Sequence, residues 1–300
     1  MKQGTQRAQI PAAGTLNLDH IAHFVPEHDA AAAALENLGF TVTPFSPQSH
    51  RLTPDGPLVP AGSGNHCVML REGYIEFLAP TADTPIAAQL RAAIGRYVGP
   101  HLIAFGTAAP QADHERLARN GFAPLTPVAL QREIGTPDGH GTARFTVVRV
   151  PPGTMAEGRI QFCAHHTPEL VWQQRWSQHT NGAMGLNGVI LCVDDPAEVA
   201  ARYARFTGLT AGRVSDGAHV IITARGRLTF LDADRTRQRF GMESPAMPWI
   251  AGAVIGSNDV TRTRKFLADR GVECHASEND GFFVVLPVAL GGLMIFEPAQ

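Results

Sequence analysis

Glu76 and Gln161 occupy matched positions in two copies of one short motif, Gly73-Tyr-Ile-Glu-Phe77 and Gly158-Arg-Ile-Gln-Phe162. Two imidazoles occupy a second matched pair, because His20-Ile-Ala-His-Phe24 aligns without a gap on His101-Leu-Ile-Ala-Phe105. In a strand, alternate side chains face opposite sides of the sheet. The aliphatic residue and Phe of each motif therefore share one face, and Glu76 and Gln161 share the other. Two neutral imidazoles and one carboxylate on a rigid frame suit a divalent ion such as Fe, Zn, Ni, Co or Mn. Such an ion, left open on one side, can polarise substrate oxygens or activate O₂. The competing reading of any strand histidine is a satisfied structural residue.

Three further side chains are candidates. Gln161 is a poor anionic base, but its amide oxygen could be a weak ligand or orient a substrate. His66, on the third strand of the first unit, could face the cavity as an acid/base or as a partner behind the metal; a plain strand residue is the alternative. His165, next to His166 just past the second motif strand, could close the cavity mouth or lie in a solvated turn. His23 falls on the face opposite His20 and reads as structural.

The motif recurs twice more, as Gly226-Arg-Leu-Thr-Phe230 and Gly292-Leu-Met-Ile-Phe296. Before each copy stands an apolar strand (18–25, 101–107, 186–193, 250–256) and a short helix (28–38, 111–120, 196–206, 259–270). Each helix stops at a glycine: Gly39, Gly121, Gly208 or Gly271, as a left-handed C-terminal cap requires. Two strands then follow, with a tight Arg71-Glu72-Gly73 turn between those of the first unit. The expected fold is α+β, with four strand–helix–three-strand modules in two paired halves, 16–170 and 183–298. Residues 165–185, with Trp172 and Trp176, read as the connection, and those two rings as packing. The polar stretch 46–64 reads as a lid or ordered surface loop. At the matched positions the second half offers Asn187, Thr229, Gly252 and Ile295, which cannot hold a metal. Glu297 reads as an exposed terminal residue.

Composition limits the partners. The chain has 44% hydrophobic and 17% charged residues and a net charge of −2, which is globular and gives no field to attract nucleic acid or an anionic membrane. Its four cysteines lack any CxxC spacing and read as buried thiols in a reducing cytoplasm. The first 14 residues lack an apolar signal segment. Expected partners are a small-molecule substrate and, if the halves pair across subunits, a second copy of the chain.

The four modules, together with Leu18-Asp-His-Ile21, Gly64-Asn-His-Cys-Val-Met-Leu70, Gly73-Tyr-Ile-Glu-Phe-Leu-Ala-Pro80 and Phe162-Cys-Ala-His-His-Thr-Pro-Glu169, resemble the glyoxalase-like branch of the vicinal oxygen chelate superfamily. That resemblance implies cupped mixed sheets and metal ligands on the first and last strands of paired modules, here His20, Glu76 and His101. It implies a glyoxalase-like lyase or isomerase, ranked above a ring-cleaving dioxygenase, acting on a substrate that chelates the metal. Gln161 stands where glyoxalase I-type proton abstraction uses a carboxylate. A non-catalytic binding or resistance protein that sequesters a small molecule in the same cup is the alternative.

Overall fold

The computed structural model describes residues 9–51, 56–278 and 280–299. Eight strands of the first half form one mixed sheet in the order β2-β3-β4-β1-β5-β8-β7-β6. They are β1 (Asn17–Phe24), β2 (Ser46–Arg51), β3 (Leu58–Met69), β4 (Tyr74–Pro80), β5 (Gly99–Gly106), β6 (Val128–Thr136), β7 (Gly139–Arg149) and β8 (Arg159–His165). Eight strands of the second half repeat that order as β10-β11-β12-β9-β13-β16-β15-β14. They are β9 (Ala183–Cys192), β10 (Ala211–Arg213), β11 (His219–Ile222), β12 (Arg227–Leu231), β13 (Trp249–Ser257), β14 (His275–Ala276), β15 (Phe282–Val285) and β16 (Leu293–Pro298). This is the expected α+β arrangement of four modules in two cupped sheets.

The four expected helices are present: α1 (His28–Asn37), α3 (Pro110–Arg119), α5 (Pro196–Thr207) and α7 (Val260–Ala268). Gly208 closes α5 in the left-handed conformation, and Asp195 caps its N-terminus with bonds from Ala197 and Glu198 N–H. These helices lie between the sheets. Ile21, Phe77, Ile103 and Phe162 of the first sheet share one core with Val189, Leu191, Phe230 and Phe296 of the second. Burial of this surface, at about 25 cal/mol per Å², is the main force joining the halves. His23 adds a polar tie, its Nδ1 lying 2.9 Å from Leu290 O.

Two helices were not expected, α2 (Pro85–Arg96) and α6 (Ala233–Phe240). Each follows the motif strand of an odd-numbered module and packs on the concave side of its sheet. Leu90 of α2 meets Phe24, Leu78 and Leu102, whereas Phe240 of α6 meets Trp249, Phe283 and Ile295. The connection after β8 holds a short α4 (Pro168–Val171) and a 3-10 turn. The stretch 46–64 is mostly the β2–β3 hairpin rather than a lid; residues 52–55 lie outside the described residues, as do residues 1–8 of the N-terminal segment. Gly62 to Gly64, at the end of that stretch, likewise belong to β3.

Candidate active site in the N-terminal cup

The first sheet curls far enough that Arg132 of β6 donates to Asn65 Oδ1 of β3 at 3.1 Å, although the two strands are not neighbours in the sheet. The concave face so enclosed carries Tyr74 and Glu76 of β4, Asn65 and Cys67 of β3, and Arg159, Gln161, Cys163 and His165 of β8. Cross-strand pairing fixes this face: Ala22 pairs Glu76, Ala104 pairs Gln161, and Cys67 pairs Glu76.

A bulge decides what β1 and β5 contribute. In the β1–β5 ladder Leu18 pairs Phe105 and His20 pairs Ala104, so Asp19 is passed over; Ala22 pairs Leu102 and His23 pairs Pro100, so His101 is passed over. The β9–β13 ladder passes over Asn187 and Ala251 in the same way. Pairing with the motif strands gives the true equivalence: His20 lies beside Tyr74, and Leu102 beside Arg159. The counterpart of His20 is therefore Leu102, and the counterpart of His101 is Asp19. The ungapped alignment slips by one residue, and a one-residue slip moves a side chain to a different environment.

The three expected ligands accordingly have separate partners. His101 stacks between Tyr97 and Phe24, and its Nε2 lies 2.9 Å from Tyr97 O. Burial lowers its pKa to about 4, so it is a neutral packing residue. Glu76 accepts from Gln48 Nε2 at 3.3 Å and from Asn65 Nδ2. His20 bonds Asp19 through Nδ1 at 2.6 Å and stacks on Tyr74 at 4.4 Å. The described residues do not gather His20, Glu76 and His101 into one donor group. His66 faces away from the cup, because its strand partner is Phe77, which belongs to the shared core. Its Nδ1 bonds Thr43 O at 2.8 Å, and its ring lies near His28 and Phe45. Gln161 and His165 do face the cup.

What the structure assembles instead centres on Asp19, which is fully buried. His165 Nε2 lies 3.1 Å from Asp19 Oδ1 and 3.6 Å from Cys163 Sγ. Ligand atoms of Asp19, Cys163 and His165 all fall within 4.8 Å of one another. Burial alone would raise the Asp19 pKa, but the charge and hydrogen bond of His165, with that of His20, hold it well below the usual carboxylate range. Burial opposes charge on His165 too, yet Asp19 raises its pKa well above the ordinary imidazole value. Tyr74 and Trp172 cover the cluster, with Trp172 4.7 Å from His165 and 5.8 Å from Tyr74, ring to ring. Trp172 is thus part of the site wall. Asp19 Oδ2 and His165 Nδ1 are buried without a hydrogen-bond partner among the described residues.

The same place in the second sheet is closed. Asn187, the counterpart of Asp19, donates to Glu297 Oε1 at 2.9 Å, and Arg227, the counterpart of Tyr74, holds Glu297 at 2.6 and 2.9 Å. Glu297 is buried rather than exposed. Further along the same sheet Trp249, Phe240 and Met247 pack together. Among the described residues no group of His, Cys, Asp and Glu donors forms there, and the Arg227 guanidinium holds the Glu297 carboxylate.

Asp19, Cys163, Asn65 and the cup arginines were not singled out from the sequence. Asp19 is hidden because a bulge breaks the alternation that places side chains; only its contact with His20 in sequence hinted at it. At the positions paired with the motif strands the chain offers His20, Glu76, Leu102 and Gln161, so Leu102 stands where the second imidazole was expected. The Asp19–Cys163–His165 group does fit a metal, with an orphaned carboxylate oxygen and carboxylate, thiol and imidazole donors.

Comparison with known proteins agrees with the architecture. A family model described as a glyoxalase-like domain matches residues 18–207. No curated protein matches the chain. Among solved structures, a hypothetical protein from Staphylococcus aureus superposes with a TM-score of 0.65 at 12% identity, over 94% of this chain and 99% of that one. A mutant 4-hydroxymandelate synthase from Streptomyces coelicolor gives 0.54 at 14% identity, covering 95% and 94%. A Mn(II)-bound glyoxalase from Novosphingobium aromaticivorans gives 0.53 at 11% identity, covering 94% and 81%. The family match over residues 18–207 shows that this chain belongs to the glyoxalase-like domain family, a branch of the vicinal oxygen chelate superfamily.

Proposed function

We propose that the N-terminal cup is the active site of a metal-dependent enzyme, a lyase or isomerase of the glyoxalase kind, acting on a small oxygenated substrate. The observation that carries this reading is the buried Asp19–Cys163–His165 donor group with its two unpartnered polar atoms, at a place where the second half satisfies every group. A set of one sulfur, one nitrogen and one oxygen donor suits zinc, and three protein ligands leave a position open. A bound ion of this kind supplies Lewis-acid polarisation of a substrate oxygen.

The chain's own residues do the rest. His20 donates Nδ1–H to the ionised Asp19, which leaves Nε2 as the proton acceptor. It serves as the base that takes a proton from a carbon beside the polarised oxygen. Gln161 orients the substrate through an amide that makes no hydrogen bond among the described residues. Tyr74 and Trp172 keep water from the cluster. The thiol among the donors favours lyase or isomerase chemistry over dioxygenation, since a sulfur beside iron and O₂ is open to oxidation.

A metal-free cup that sequesters a small molecule is the second reading, favoured by Leu102 and Gln161 standing where paired modules would complete the superfamily's ligand set. Cobalt loading separates the two. Thiolate ligation by Cys163 gives an intense near-ultraviolet charge-transfer band that is absent in Cys163→Ser. A protein that takes up no cobalt, yet binds apolar or oxygenated small molecules, supports sequestration instead.

A further inference from the structure

Strand pairing sets Arg149 of β7 directly opposite Gln161 of β8. Arg159 lies two residues before Gln161 on the same strand, so both arginines rise from the concave face beside the Gln161 amide. Arg159 also rests over the Phe24 ring, 5.8 Å from its centroid. Among the described residues neither guanidinium has an ion-pair partner, and Arg149 Nε is buried with no acceptor. Burial lowers the pKa of both; the charge of Arg149 lowers that of Arg159 further, and the charge of Glu76 offsets part of this. Glu76, whose charge acts on Arg159, is already held by Asn65 and Gln48. Arg132 adds a third cation at the rim, bonded only to the neutral Asn65. Desolvated like charges with no carboxylate in direct contact cost stability unless an anion joins them.

We propose that Arg149 and Arg159, with Gln161 between them, form the subsite for a carboxylate or phosphate group of the substrate. The planar guanidinium fork matches either anion through paired N–H bonds. Cys163 is two residues beyond Gln161, roughly 7 Å along the strand. An acid short enough to span that interval would hold its anionic end at the arginines and present its reacting oxygen to Asp19 and His165. The substrate class is therefore a short oxo or hydroxy acid, or its phosphate ester. This inference rests on the cup being the ligand site, but not on the metal.

The test uses the untagged full chain, chelator-treated, titrated calorimetrically with malonate and separately with inorganic phosphate at constant ionic strength in chloride. Saturable binding of at least one anion is expected, weakened at least tenfold in Arg149→Gln and in Arg159→Gln and unchanged in Arg91→Gln, a surface control. Preference for malonate identifies a carboxylate substrate, and preference for phosphate a phosphorylated one. Both cup variants should melt higher than wild type in anion-free buffer, since each removes a desolvated like charge. Should either fail to fold, Arg149→Lys and Arg159→Lys provide the weakened-binding test. Absence of saturable binding, or binding that survives both cup substitutions, overturns the proposal. Anion binding in a protein that takes up no cobalt supports this subsite and overturns only the metal assignment.

Discussion

Asp19 and His165 stand 146 residues apart in the chain, yet His165 Nε2 lies 3.1 Å from Asp19 Oδ1 in a site where the aspartate is sealed from solvent. The pair joins the first strand of one module to the last strand of the next, and each group sets the other's charge. Removing one charge strands its partner. Asp19→Asn should lower unfolding free energy by roughly 3–5 kcal/mol, the usual cost of breaking a buried pair. Urea denaturation of the chelator-treated protein at neutral pH measures this, and a loss under about 1 kcal/mol would mean that the two groups are not charged together in the absence of metal.

Gly106 makes the room beside the orphaned oxygen. A Cβ built there would sit 3.2 Å from Asp19 Oδ2. Gly106→Ala should weaken metal affinity by tenfold or more while costing only about 1 kcal/mol of stability. Equal metal affinity in wild type and variant, by competition with a chromophoric chelator, would remove Asp19 Oδ2 from the ligand set.

The four modules were legible in the sequence because each repeats the same local physics: an apolar strand, a helix stopped by glycine, and a motif strand with Gly and Phe at fixed offsets. The inward direction of Glu76 and Gln161 was legible for the same reason, since both lie in unbroken alternation. The Asp19–Cys163–His165 group was not. Asp19 and His101 are bulge residues, and counting by twos across a bulge assigns the wrong partner. His20 and His101 align by residue type but not by position. His66 was misplaced by parity on β3: its neighbours Asn65 and Cys67 face the cup, and it does not. The burial of Glu297 could not be read either, because its partners Asn187 and Arg227 come from strands far away in sequence.

His23 gives a pH dependence with a definite sign. Burial lowers its pKa to about 4 from 6.5. The folded protein therefore keeps it neutral where the unfolded chain takes up a proton. Its contribution is full above about pH 6.5 and is lost as pH falls towards 4. Between pH 7 and pH 5 this one group should cost about 2 kcal/mol, with His101 and His179, also lowered to about 4, adding in the same direction. His23→Gln should flatten the slope of denaturation free energy against pH over that window. An unaltered slope would contradict the burial of a neutral imidazole between the halves.

Glu297 tests the second half. Its ion pair with Arg227 and bond from Asn187 are partly open to solvent, so Glu297→Gln should cost only about 1–2 kcal/mol. Metal content should not change. Loss of metal in this variant would place a site in the second cup and contradict its reading as a closed structural copy.

Elemental analysis of the untagged protein, purified without chelator, bears most directly on the metal centre. The expected result is close to one equivalent of a divalent metal in wild type, retained in Glu76→Ala and lost in both His165→Gln and Cys163→Ala. Metal lost in Glu76→Ala but kept in the other two variants, or wild type that holds none and takes none up, would contradict the assignment to Asp19, Cys163 and His165.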